Sequence, residues 1–579
     1  MRMQLYRINY IRMFILTMFL LIPKIYANEF YVNSILTFQK AHDAAVEGDK
    51  IIWQNGIYSN INIAITKNKL SLIAESPGGV IFNGSSTFYI NGNNNTFSGF
   101  QFISGNTSAI VITVAGNYNV ITQLNFENYS AQKYINLLGQ YDEVSYCNFK
   151  NKPASAPIGN LIHIAPDGNV PNYARIRYCS FQNMSGNGGD NGNECIRVAN
   201  GAQSAYSCRT IIEYCYFENT GPGDSEVISV KSRENIIRYC TNINNQKGNF
   251  CFRNGDDNVA YCNFFINAGG IRIKEANNIY CYNNYFQNCG DGQITAPVKY
   301  VYVSPNLNNI NFIHNTFIDG TSIELDANAV KNNWANNIFQ KTNGNIFKGS
   351  APGISWSGNI YNGTLGLQIL AGMNNKDPQL IPNSEGYLII NSTSPAVNSS
   401  SSQYPVLLDI PVLDDDPSIL FDIAGNTRPA DRLLKDAGCF EVSSGVIKNR
   451  PLKLSDVGPE YLKNQTSVEK EKKEAGHSKL LQNFPNPFNP ETTIKYNVPE
   501  VDFHNSADGV LYQQYVSLKI YDLLGREVST LVDELKLPGN YSAVFNARNI
   551  TDTYLTSGIY FCRLQAGKNI EIQKMILLK

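Results

Sequence analysis

The sequence predicts an all-β chain: a right-handed parallel β-helix followed by a small C-terminal β-sandwich domain. Three observations carry this. A short unit of small residue, x, aromatic, x, Asn recurs along the middle of the chain, as in Cys147-Asn148-Phe149-Lys150-Asn151, Cys179-Ser180-Phe181-Gln182-Asn183 and Cys215-Tyr216-Phe217-Glu218-Asn219. Its period is close to twenty residues, with Cys240, Cys262 and Cys281 spaced 22 and 19 apart. Short β segments with Asn/Gly corners at that period suit coils that bury their inward residues only by stacking on neighbours. The last hundred residues instead alternate apolar and polar positions in runs separated by turn residues, the pattern of short antiparallel strands.

The bulk composition agrees. At 579 residues the chain is too long for one compact core. Charged residues make up only 16% and the formal net charge is -1, while Gly (44), Tyr (34) and Phe (29) are abundant. Such a balance suits β-structure with many turns and gives no reason to expect nucleic acid as a partner.

Taken in order, the elements read as follows. Arg2, Arg7 and Arg12 precede an apolar run, Met13 to Ile22, that is too short to span a bilayer. Ile25-Tyr26-Ala27 then fits a signal-peptidase site, so residues 1–27 are expected to be a signal peptide. No later stretch has the length and apolarity of a membrane span. Residues 35–47 carry helical spacing and predict a helix that closes the N-terminal end of the solenoid. Residues 28–463 are assigned to the β-helix, with coils from about 50 to 445. Residues 464–479 are charged and lack aromatic residues, as a linker would. In residues 480–579, strands are expected at Thr493–Val498, Val516–Tyr521, Tyr541–Phe545, Gly558–Leu564 and Ile570–Leu577.

Twelve cysteines in an exported chain first suggest disulfides. Six follow a tyrosine at one place in the repeat, namely Cys147, Cys179, Cys215, Cys240, Cys262 and Cys281. This predicts a buried stack of free thiols, since Cys behaves as a small hydrophobe.

The chemistry concentrates in Gly223-Asp224-Ser225-Glu226-Val227-Ile228-Ser229-Val230-Lys231-Ser232. On a strand, Asp224 and Glu226 share a face roughly 7 Å apart. Two carboxylates so close repel unless a cation lies between them, and oxygen donors of this kind favour Ca²⁺. One coil earlier, Glu194-Cys195-Ile196-Arg197-Val198 mirrors Glu226-Val227-Ile228-Ser229-Val230, which brings Asn191, Asn193 and Glu194 beneath the acidic pair. Lys231, Arg253 and Arg272 each lie nine residues before a repeat cysteine. They are therefore expected at one place on three successive coils, about 4.8 Å apart. Glu226 and Lys231 are five residues apart and would face opposite ways on a flat strand, so a corner or bulge must intervene.

At these residues the sequence resembles polysaccharide lyase family 6, the chondroitinase B and alginate lyase family. The pieces are Asn191-Gly192-Asn193-Glu194-Cys195-Ile196-Arg197, Asp224-x-Glu226-x-Ile228-x-x-Lys231-Ser232, Arg253-Asn254-Gly255 and Gly270-Ile271-Arg272-Ile273, within a likeness running from Phe30 to Pro459. The resemblance implies a secreted enzyme that cleaves a uronic-acid polysaccharide by Ca²⁺-assisted β-elimination. Asp224, Glu226 and Asn191 would bind Ca²⁺, with Glu194 a further candidate. Lys231 would be the general base and Arg253 the general acid or charge stabiliser. Arg272, Asn254 and Arg197 would bind substrate. Asp224 stands where the family usually has Glu, Asn254 where it usually has His, and the loop between Arg253 and Arg272 is shorter than usual. The chain also carries one β-helix where some alginate-degrading members have two.

Alginate is the first substrate choice and a dermatan-type glycosaminoglycan the second, and a monomer is expected. A pectinase-like hydrolase would need carboxylates across the scissile bond. A non-catalytic β-helix adhesin would have no need of the cations. The C-terminal hundred residues resemble the sorting domain of the type IX secretion system, through Asn483-Phe484-Pro485-Asn486-Pro487-Phe488-Asn489-Pro490, Ile520-Tyr521-Asp522-Leu523-Leu524-Gly525-Arg526-Glu527-Val528 and Ser557-Gly558-Ile559-Tyr560. That machinery is the second expected partner.

Overall fold

The computed structural model describes residues 27–463 apart from 169, 187–191, 302–306, 370, 409, 411–419 and 443–446. It also describes 479–578 apart from 482, 484, 499–513, 537–538, 549–554 and 567–568. The signal peptide and most of the linker lie outside the described residues. The chain forms two compact units, one on each side of that linker.

The first unit is the predicted right-handed parallel β-helix. Among the described residues it has three parallel sheets of 14, 12 and 14 strands, and each coil gives a strand to each sheet in turn. The repeat explains the corners. Asn128, Asn151, Asn183 and Asn219, which end the repeat unit, all have φ between 50° and 57°. Asn tolerates this left-handed region better than most side chains, so a three-residue strand can turn there at low cost. The aromatic of each unit points inward, and Phe149, Phe181 and Phe217 stack with ring centroids 4.9 and 4.8 Å apart.

The cysteines need a correction. All twelve are buried and free. Cys147, Cys179, Cys215 and Cys240 form the predicted stack, each thiol against the next. Cys262 and Cys281 do not join it. The next rung above Cys240 is Asn263, whose Oδ1 accepts from the Cys240 N–H at 3.0 Å. Asn284, Asn315, Asn337 and Asn359 continue the ladder with bonds of the same kind. The cause is coil length. Arg238 pairs with Tyr261 across 23 residues, but Tyr261 pairs with Tyr282 across 21. A constant Tyr-Cys motif therefore drifts out of register, and Cys281 pairs with Ala260.

The helix Ile35–Ala44 caps the open end, with Ser34 as N-cap and Phe38 buried against Trp53. The last coil strand ends at Asn375, not near 445. The described residues beyond it wrap the outside of the coils, and Tyr387, Ile423 and Phe440 share a second core with coil residues such as Ile236, Phe264 and Tyr285. Pro378, Pro395 and Pro405 break the strand pattern in this stretch. Residues 447–463 then run back down the coils. Leu452 N–H bonds Thr241 Oγ1 (2.8 Å), Gly458 N–H bonds the Tyr178 carbonyl (2.8 Å) and Glu460 N–H bonds Gln123 Oε1 (2.8 Å).

The second unit has antiparallel sheets of three and four strands around a shared core of Ile494, Tyr496, Leu518, Ile520, Phe545 and Leu564. All five predicted runs are strands, and Glu527–Lys536 is one that the sequence reading missed. No described helix is long and apolar enough to cross a membrane.

One rung of a second Asn ladder carries a testable defect. Asn95 N–H donates to Asn119 Oδ1 and Asn119 N–H to Asp142 Oδ1, but Asp142 Oδ2 is buried without a partner. Burial pushes the Asp142 carboxyl up to about 8, against the pull of its bonds from Asn119. A group whose folded pKa lies above its unfolded one costs stability as pH rises through that interval. Asp142→Asn should therefore raise the unfolding temperature. The gain should be absent at about pH 4 and grow to about pH 8. A gain that does not change with pH would contradict the burial of an ionisable carboxyl there.

Candidate active site

The twelve-stranded sheet carries the site on its outward face. The strand Glu226–Val230 pairs with Ile196–Val198 on one side, placing Ile196 against Ile228 and Arg197 against Ser229. It pairs with Asn249–Arg253 on the other, where the register slips: Glu226 faces Asn249, yet Ile228 faces Phe250. Val227 is the extra residue of a β-bulge. The bulge resolves the parity problem, because it lets Glu226 turn outward with Ser229 and Lys231 while Ile228 and Val230 stay in the core.

Lys231 and Arg253 follow the paired Val230 and Phe252, so they occupy matching places on adjacent coils. Arg272 does not continue that row. It pairs with Cys251, and Lys274 pairs with Arg253. The ninth-before-cysteine spacing failed here because Cys281 is itself out of register. Arg272 still reaches the site from two residues earlier, with Nη1 3.7 Å from Glu226 Oε1.

Glu226 is the hub. Its Oε1 accepts from Arg253 Nη1 at 3.0 Å, and its Oε2 accepts from Ser229 Oγ at 2.7 Å. Glu194, one coil below, accepts from Lys231 Nζ at 3.4 Å and from the Asn160 amide. Asp224 accepts backbone N–H groups from Glu226 (2.8 Å) and Asn193 (3.2 Å). Burial pushes the Asp224 carboxyl up to about 7, and the neighbouring charges of Glu194 and Glu226 push in the same direction. Lys152 lies below this cluster, donating to the Gly159 carbonyl at 2.7 Å and to Asn193 Oδ1 at 3.4 Å. Burial lowers its ammonium to about 8.

The remaining predicted residues fall as follows. Arg197 is half-buried on the same face and donates to the Ala199 carbonyl at 3.2 Å. Asn254 lies at a corner with φ 65°, its amide bonded to Glu275. Asn191 lies outside the described residues. Sequence reasoning missed Ser229 and Asn160, which bond Glu226 and Glu194, and Lys152, which holds Asn193 beside Asp224; coil register is needed to find the last two.

Among the described residues, no three His, Cys, Asp or Glu side chains converge on one point as a metal would require. Glu194 is turned onto Lys231, and Glu226 onto Arg253 and Arg272. The donor chemistry nevertheless fits a hard cation. Asp224, Glu226 and Glu194 offer only oxygen, and the mutual repulsion that raises Asp224 is what a cation relieves.

A family model described as Chondroitinase B matches residues 32–338, more than half of the chain. A second, described as Secretion system C-terminal sorting domain, matches residues 482–578. No curated protein matches the chain in sequence. Among solved structures, the PL6 family alginate lyase AlyGC is 21% identical with a TM-score of 0.58, over 62% of this chain and 55% of that one. A mannuronic acid specific polysaccharide family 6 lyase from human gut microbiota is 19% identical with a TM-score of 0.50, over 60% and 90%. The PL6 family polysaccharide lyase Pedsa3628 from Pseudopedobacter saltans is 18% identical with a TM-score of 0.50, over 74% and 98%. The chain thus spans just over half the length of AlyGC and nearly all of the other two, and these likenesses show a shared fold. The family match, with its sorting domain set apart at the C-terminus, leads to one assignment: this chain belongs to the chondroitinase B family of polysaccharide lyases.

Proposed function

We propose that this protein cleaves a uronic-acid polysaccharide by β-elimination, with alginate the first substrate to test and a dermatan-type glycosaminoglycan the second. The observation that carries the reading is the pairing of Lys231 with Arg253 on adjacent coils, against buried carboxylates on one sheet face.

The uronate C5 proton is weakly acidic because the adjacent carboxylate is already charged. Asp224, Glu226 and Glu194 would hold Ca²⁺, with Asn191 added by the family resemblance. Bound there, Ca²⁺ would supply Lewis-acid stabilisation of charge on the substrate carboxylate. Lys231, as the neutral amine, takes the C5 proton. The C5–H electron pair forms the C4=C5 double bond, the C4–O bond breaks, and its electron pair leaves with the glycosidic oxygen, which takes up a proton. Arg253 keeps its own proton and stabilises the negative charge as it develops. Arg272 and Arg197 offer forked donors to substrate carboxylates. A pectinase-like hydrolysis fits less well, because it needs carboxyl groups across the scissile bond, and the side chains facing Glu194 and Glu226 are the basic residues Lys231 and Arg253.

Incubation with each polymer separately, followed by ultraviolet absorbance of unsaturated uronate, tests the reading. Export is a separate matter. We propose that residues 480–579 direct type IX secretion after removal of residues 1–27. Deleting the C-terminal segment should retain the protein in the cell envelope while leaving the lyase rate within about twofold, since catalysis and sorting then act independently. Loss of the rate in a soluble, folded 28–463 chain would contradict that separation.

A further inference from the structure

The outward face of the twelve-stranded sheet continues past Lys231 toward the N-terminal coils. In register, Asn136 pairs with His163, His163 with Arg197, and Arg197 with Ser229. Lys133 opens the first of these strands, and its Nζ lies 2.9 Å from His163 Nδ1. Asn136 Oδ1 lies 2.9 Å from the same nitrogen and accepts from Lys133 Nζ at 3.4 Å. His163 is 8% exposed, and its Nε2 is buried with no hydrogen-bond partner.

The electrostatics of this group are one-sided. Burial, then Arg197, holds the Lys133 ammonium below its usual range. Burial, then Lys133 and Arg197, lowers His163 to about 3, and Lys231 adds to the effect. The Ala199 carbonyl opposes it. Two cations and a buried imidazole therefore face one groove, and among the described residues Lys133 and Arg197 bond only neutral groups, namely His163, Asn136 and the Ala199 carbonyl. Such an arrangement is costly unless an anion from outside completes it.

We propose that Lys133, His163 and Arg197 form an anion subsite that binds the carboxylate of a uronate next to the one being cleaved. This rests on the lyase reading above. Coils are about 4.8 Å apart, so the subsite lies one to three coils from Lys231, within reach of the same sugar chain. Arg197 supplies a planar fork and Lys133 a point charge that His163 holds in place, a set suited to a carboxylate.

The test uses the full chain with Lys133→Met, Lys133→Arg and His163→Leu. On the polymer that wild type cleaves, Lys133→Met and His163→Leu should each raise KM by about tenfold or more, with kcat within about threefold. Lys133→Arg should recover most of the loss, which a merely structural lysine would not require. Calorimetric affinity for an oligouronate, measured in a Lys231→Ala background, should fall in parallel, while a carboxyl-reduced oligosaccharide should not distinguish the variants. KM and oligouronate affinity within twofold of the parent, in variants folded by circular dichroism, would overturn the subsite. A wild type that forms no unsaturated uronate would instead overturn the lyase reading, and oligouronate affinity would still decide the subsite.

Discussion

Replacing Lys231 by Ala is expected to remove nearly all lyase activity, a loss of about 10²–10⁴-fold for a general base. Lys231 shares a coil position with Arg253 and lies beside the acid cluster, on the face a uronate would approach. Lys231→Arg should fail as well, because a guanidinium does not deprotonate in proteins. The structure alters one part of this expectation. Lys231 is not an exposed groove residue; it is 7% exposed and pairs with the buried Glu194. Among the described residues, removing it leaves the buried carboxylate with the Asn160 amide as its remaining hydrogen-bond partner, and breaking such a pair costs stability. The double variant Lys231→Met, Glu194→Gln removes that charge and separates catalysis from folding. Arg253→Ala should be severely impaired too, through the loss of charge stabilisation. The readout is the rate of unsaturated-uronate formation, with circular dichroism as the folding control. Near wild-type rates for Lys231→Ala would show that the base lies elsewhere.

The second large effect is expected at Glu226. Its carboxylate joins Ser229, Arg253 and Arg272. Glu226→Gln removes the charge on which both guanidiniums converge and one oxygen donor of the acid cluster. We expect calcium affinity, read by calorimetry, to fall about tenfold or more, and turnover to fall with it. Chelation of the wild type should abolish turnover. Ca²⁺ should restore it better than Mg²⁺, which demands tighter octahedral geometry than a broad carboxylate cluster offers. Full activity after exhaustive chelation would remove calcium from the account.

Much of this architecture was legible in the sequence because a solenoid is periodic. The Asn at each corner and the Phe in each core layer repeat so regularly that the fold could be read from Phe149, Phe181 and Phe217 alone. The mirror between Glu194–Val198 and Glu226–Val230 gave the correct pairing for the same reason. The bulge at Val227 was legible indirectly, since Glu226 and Lys231 could not share a face without it.

What escaped was register over coils of unequal length. Arg272 and Cys281 were misplaced together, because the interval between them was preserved while both shifted against the coil below. Residues whose role depends on a neighbour one coil away, such as Asn160 under Glu194 or Lys133 beside His163, leave no local pattern. Their sequence separations of 34 and 30 residues follow from the loops inserted at those coils. The wrap after Asn375 was read as further coils because it keeps apolar residues. The core it shares with the outer face of the coils, around Tyr387 and Phe440, requires them just as further coils would.

The most direct measurement is the product formed by the full-length wild-type protein on alginate and on dermatan sulfate in the presence of Ca²⁺. Ultraviolet absorbance from a new C4=C5 double bond at the non-reducing end is expected, rising in step with new reducing ends. New reducing ends without that absorbance would mean hydrolysis and contradict β-elimination. Binding without any cleavage of either polymer would contradict the assignment of Lys231 and Arg253 to chemistry.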